Sequence, residues 1–94
     1  MTRLSSSDLD AALENLEGWL GGADAIHKTY QFADFMGSIG FVNRAAELAE
    51  AANHHPDIDI RWNKVTLTLT THDEGGVSDK DIDLAGKLNR AANA

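Results

Sequence analysis

The chain has no cysteine, a single proline and no apolar run near the ~20 residues of a membrane span. Each absence removes a class of explanation. Without cysteine there are no disulfides, no thiolate zinc sites and no cysteine nucleophile, a composition that suits a reducing cytosol. The opening MTRLSSSDLDAALENL lacks the uninterrupted apolar segment of a signal peptide, so a cytoplasmic protein with no membrane partner is expected. Basic residues are scarce too: 8 Lys and Arg stand against 15 Asp and Glu, a formal charge of −7. They are scattered along the chain, and the phosphates of a nucleic acid would be repelled, so no nucleic-acid partner is expected.

What remains suits one small domain, residues 1–94. A domain of this size has a thin core, which makes oligomerisation a natural source of added stability. Leu9, Leu13 and Leu16 recur at helical spacing after a hydroxyl-rich start, and Gly18 ends the pattern. Gly21-Gly22 reads as a turn. AIHKTYQF then alternates, with Ile26, Lys28, Tyr30 and Phe32 on one side of a strand. The segment DFMGSIGFVNRAAELAEAAN is the strongest helical signal, with Asp34 as N-cap and a predicted stripe of Phe35, Ile39, Val42, Ala46 and Ala49. Ile58, Ile60 and Trp62 alternate with charged residues, as in a half-buried strand, and Asn63-Lys64 offers a tight turn or a bulge. Val65, Leu67 and Leu69 alternate with threonines in a strand with one wet face. Ser78 and Asp81 have capping-box spacing ahead of a last helix with Ile82, Ala85 and Leu88 inward. Helix, strand, helix, strands, helix, without the buried strands of a parallel sheet, predicts an α+β two-layer sandwich: an antiparallel sheet with helices on one face.

Four histidines carry the chemical interest: His27, His54, His55 and His72. An imidazole takes or gives a proton near neutral pH. Pro56 cannot continue a helix and biases His55 toward extended backbone, so His54 and His55 lie just past a helix C-terminus. His72 lies where the Thr-rich strand leaves the sheet. If these two ends are neighbours, three imidazoles converge. The bland alternative is that a helix C-terminus simply attracts histidine, because its partial negative charge favours the imidazolium. A metal site is not expected, since no HxH or HxxxH pair exists and adjacent side chains in extended backbone point apart. His27 reads as structural. Trp19 and Trp62 read as core, Asp81 as a capping residue, and Glu50 stands one helical turn before His54.

The spacing Glu50, His54-His55-Pro56, Trp62, His72, Asp81 resembles the signature of the pterin-4α-carbinolamine dehydratases. Gly18-Trp19, the DFMGSIGFVNRAAELAE helix, NKVTLTLTTH and SDKDIDLA resemble the same family in the same order. The likeness runs from about residue 7 to residue 92. It implies dehydration of 4a-hydroxytetrahydropterin to quinonoid dihydropterin, which recycles the cofactor of aromatic amino acid hydroxylases. The pterin is then the substrate, and no cofactor or metal is expected.

Carried over by position, the resemblance makes His54, His55 and His72 the catalytic set, with His54 and His72 transferring protons and His55 orienting the pterin. It implies that Glu50 positions an imidazole and Pro56 fixes the loop. Asn53, Thr70, Thr71 and Asp73 would touch substrate, and Trp19 would lie near the pocket. Asn53 stands where some members have aspartate. The family fold is a four-stranded antiparallel sheet with two long helices on one face and a short N-terminal helix beside them, assembled as dimers or tetramers. Some relatives act instead as dimerisation cofactors of a transcription factor, so a non-catalytic interaction module is the rival expectation.

Overall fold

The structure, a computed structural model, describes residues 3–93. Its elements are α1 (Ser6–Glu14), β1 (Leu20–Gly21), β2 (Ile26–Gln31), α2 (Phe35–Ala52), β3 (Asp57–Arg61), β4 (Lys64–Leu69), a 3-10 turn (His72–Glu74) and α3 (Asp79–Ala92). The four strands form one antiparallel sheet in the order β1-β2-β4-β3. The expected α+β architecture is what the chain adopts. Of Gly21-Gly22, expected as a turn, Gly21 ends β1, which pairs Leu20 with His27 and Gly21 with Ile26, and Gly22 opens the turn into β2, its amide donating to the Ala25 carbonyl at 3.1 Å.

Alternation explains which face is covered. Ile26 and Tyr30 of β2, with Val65, Leu67 and Leu69 of β4, point into the core and meet Phe41 and Ala45 of α2 and Leu84 and Leu88 of α3. On the open face Thr29 and Thr66, directly opposite in register, share a hydroxyl–hydroxyl hydrogen bond of 2.8 Å. Each helix begins on a defined cap. The Ser5 hydroxyl accepts from the Asp8 amide at 3.2 Å, and the Asp34 carboxylate accepts from the Gly37 amide at 2.8 Å.

Four expectations about faces need correction. The buried positions of α2 are Ser38, Phe41, Ala45 and Ala49, whereas Phe35 and Ala46 are exposed. This helix is apolar nearly all round, so several stripes fit its sequence and only packing selects one. Strand β3 is exposed along its whole length, because it is the sheet's edge and no helix covers it. Trp62, at the β3–β4 turn with φ of +52°, is 68% exposed rather than core. In α3 the expected stripe omits Leu84 and includes Ile82, which is only half-buried. Among the described residues no helix is long and apolar enough to cross a membrane.

Candidate active site

The cleft is built where α2 stops. Asn53 adopts a left-handed conformation (φ 51°, ψ 43°), which asparagine tolerates better than most residues. The His54 amide then donates back to the Ala49 carbonyl at 3.0 Å, a Schellman-type closure. This reversal turns the imidazole of His54 toward α3. On the far side, β4 ends and the chain enters the 3-10 turn that carries His72. That turn is closed by a two-way backbone pairing of Thr71 with Gly76, at 3.1 and 3.2 Å. Gly76 has a φ of +155°, and a Cβ there would lie 2.3 Å from the Ala23 carbonyl oxygen, so only glycine lets the loop pack this closely.

The result is a cleft of about 340 Å³ whose lining includes His54, His55 and His72. The strand end and the helix end are therefore neighbours, as convergence of three imidazoles requires. Asn53, Thr70, Thr71 and Asp73 join that lining, as does Lys80, which neither spacing nor resemblance singled out.

Behind His54 stands Asp81, fully buried at the start of α3. Its Oδ2 accepts from the Ser78 amide at 2.9 Å and from the Thr71 hydroxyl at 2.7 Å. Its Oδ1 meets His54 Nε2 at 2.5 Å. Thr71 has one hydroxyl hydrogen, already given to Asp81, so in the 2.7 Å contact between Thr71 and Ser78 the serine donates. With the Ser78 N–H and the Thr71 O–H both donating to it, Asp81 reads as an acceptor, which assigns the hydrogen of the third contact to His54 Nε2 and leaves Nδ1 as the other ring nitrogen. Asp81 is thus more than the cap its spacing suggests.

The other two imidazoles are set differently. His55 Nε2 meets Glu50 Oε2 at 2.5 Å, both side chains largely exposed, a pairing that orients the ring while adding little stability. Glu50 thus reaches the cleft through His55. Pro56 is half-buried past the Asn53 cap of α2 and does not line the cavity. His72 is exposed at the mouth. The hydroxyls of Thr70 and Thr71 are committed, Thr70 to the Asp24 carbonyl at 2.6 Å and Thr71 to Asp81, so both residues shape the wall.

Trp19 is the residue expected near the pocket that lies elsewhere. It is 2% exposed, packs edge-on against Tyr30 and donates from Nε1 to Asn89 Oδ1 at 3.1 Å. Asn89 is near the C-terminal end of α3, and the cleft is at its N-terminal end, about 12 Å of helix away. Core packing claims this indole. Among the described residues no group of three His, Asp or Glu side chains is placed to hold a metal ion.

A small α+β domain whose helix end and strand end jointly present imidazoles, one held by a buried carboxylate, has the groups that proton transfer requires. Comparison with known proteins narrows that reading. The chain belongs to the pterin 4 alpha carbinolamine dehydratase family, whose sequence profile matches residues 2–91. A Thermosynechococcus vestitus protein, provisionally named as a pterin-4-alpha-carbinolamine dehydratase, is 53% identical over 90 residues, covering 96% of this chain and 95% of its own length. A crystal structure described as a transcriptional coactivator/pterin dehydratase from Brucella melitensis is 41% identical, with a TM-score of 0.91 over 97% of this chain and 99% of its own. A pterin dehydratase-like protein, described as a RuBisCO assembly factor in the alpha-carboxysome, shares the fold at 19% identity and a TM-score of 0.68, covering 81% of this chain and 88% of its own.

Proposed function

We propose that this protein is a hydro-lyase that dehydrates 4a-hydroxytetrahydropterin to quinonoid dihydropterin and water. The observation that carries the reading is the fixing of one imidazole by buried Asp81 in a cleft that two further imidazoles share. The elimination breaks the C4a–O bond. An acid protonates the departing hydroxyl, the N5 lone pair forms the N5=C4a double bond, and the proton on N5 passes to a base. Atoms balance with water as the only co-product, and nothing is oxidised or reduced by the protein. Acid and base at two positions suffice, so no further cofactor enters the scheme.

His54 is suited to the base. In that role Nε2 stays on Asp81, Nδ1 takes the proton, and the carboxylate stabilises the imidazolium that forms. His72, at the mouth and opposite in chain origin, supplies the proton to the leaving hydroxyl. His55, steered by Glu50, orients the ring. Asn53 and Asp73 offer side-chain polar groups to the donor-rich edge of the pterin. In the cell this activity would regenerate the cofactor of an aromatic amino acid hydroxylase in the cytoplasm. The exposed edge strand β3, bearing Ile58 and Ile60, favours a homodimer or homotetramer.

A second reading is a non-catalytic interaction module. It is favoured by the coactivator description of the Brucella structure and by exposed Phe35, Met36 and Trp62. Stopped-flow measurement of dehydration, with substrate generated in situ, separates the two. Wild type should accelerate the reaction, and a His54→Ala, His72→Ala double variant should lose about 10³-fold or more of that acceleration. A well-folded wild type with no acceleration would sink the dehydratase reading and leave the interaction module in its place.

A further inference from the structure

Lys80 stands on the wall of the cleft for no reason that folding supplies. It occupies an early position of α3, where the positive end of the helix dipole disfavours a cation, and its neighbours Asp79 and Asp81 are of the sign that end prefers. Its side chain is exposed, and among the described residues nothing forms an ion pair or hydrogen bond with its ammonium. The nearby carboxylates do not serve it. Asp81 is taken by His54, Thr71 and Ser78, and Glu50 by His55. Asp73, also on the lining, does not pair with it. A lysine and an aspartate that line one cleft without pairing with each other give it two groups of opposite sign. Asp73 can accept from the amino-pyrimidine edge of a pterin, and the Lys80 ammonium is left for an acceptor elsewhere on the same ligand.

We propose that Lys80 is a specificity-determining residue that holds an oxyanion, phosphate or carboxylate, on the side chain of the pterin substrate. The proposal rests on the dehydratase reading and names the substrate class that reading leaves open. On a chain with a net charge of −7, an anionic substrate approaches against the overall field. A local unpaired cation then decides whether the anion is tolerated in the cleft, and a charge-assisted hydrogen bond to it is of the strong kind.

The test compares kcat/KM for three 4a-hydroxytetrahydropterins: one with a neutral polyol side chain, one with a monophosphate and one with a carboxylate. Wild type, Lys80→Gln and Lys80→Arg are assayed side by side, and the equilibrium Kd of the matching unreactive dihydropterins is measured by calorimetry. Wild type should favour at least one anionic compound about tenfold, mainly through KM and Kd, with the preference shrinking as salt rises. Lys80→Gln should bring the ratio near one, and Lys80→Arg should restore most of it. Whether phosphate or carboxylate gains more identifies the anion. Equal Kd values for neutral and anionic compounds, or a preference that survives Lys80→Gln, would overturn the proposal. If no compound is dehydrated, the dehydratase reading fails, and the Kd ratio still decides the role of Lys80.

Discussion

Helix α3 places a polar hub at each end, fully buried Asp81 and half-buried Asn89, and the two ends do opposite things with it. At the C-terminal end Asn89 Oδ1 accepts from Trp19 Nε1 at 3.1 Å, Lys28 Nζ at 2.9 Å and Tyr30 Oη at 2.6 Å. Its amide donates to the Glu17 carbonyl at 3.2 Å, which also accepts from Lys28 at 2.7 Å. That knot is closed: donors and acceptors answer one another and tie the segment after α1 to β2 and α3. At the N-terminal end Asp81 is equally satisfied, but one of its partners is a histidine that also lines the cleft. A satisfied polar hub therefore does not by itself mark a reactive site. What marks it is a titratable partner with one valence left over.

Asp81→Asn breaks the comparison most sharply. The position of Oδ2 is occupied by two donors, Ser78 N–H and Thr71 O–H, so the amide oxygen of an asparagine stays there. The NH2 group then faces His54 Nε2 and forces the hydrogen onto Nδ1, the nitrogen needed as base. The expected loss is about 10³-fold in kcat, roughly 4 kcal/mol of transition-state stabilisation, with the fold intact. The limb of the kcat/KM pH profile that reports the base should also vanish or move. Wild-type kinetics with an unaltered pH profile would show that Asp81 only caps the helix.

Asn89→Ala tests the closed knot. It strands the indole N–H of Trp19 and the hydroxyl of Tyr30, both buried, and should cost about 2–3 kcal/mol in urea unfolding. Turnover per folded molecule should change by less than about twofold, because nothing in the knot reaches the cleft. A large loss of kcat in folded protein would show that the two ends of α3 are coupled.

How much of this was legible beforehand follows the same division. Caps, turns and the alternation of β4 are local signals, and Asp34, Pro56 and Val65-Leu67-Leu69 act as the sequence implies. His54, His55 and His72 could be singled out as candidates because of what residue type and position do to an imidazole. Their convergence depends on where β4 ends relative to α2, which no local pattern contains. The buried face of α2 is not fixed by its own sequence, because Phe35, Ile39 and Val42 compete with Phe41 and Ala45, and only the sheet beneath decides. Trp19, placed near the pocket by resemblance, is held away from it by Asn89, a partner 70 residues along the chain. Lys80 carried no signal at all, since an exposed lysine near a helix start usually means only solvent.

The smallest expected effect concerns Tyr30. Burial pushes its phenol from the ordinary 10.0 up to about 12, against a smaller opposing effect of Trp19. The unfolded chain loses this proton near pH 10, while the folded protein keeps it until about pH 12. Between those values the unfolded state binds fewer protons, so stability falls as pH rises through the window. Burial acts on Lys28 in the other direction, lowering its pKa below 10.5 against the pull of Glu17, so its contribution to stability rises with pH until 10.5 is passed. Tyr30→Phe removes the hydrogen bond to Asn89 and should cost about 1 kcal/mol at neutral pH. Its unfolding curve should then decline less steeply than wild type between pH 10 and 12. If both proteins decline in parallel, the phenol is not what the alkaline limb reports, and the knot is more open to water than its hydrogen bonds imply.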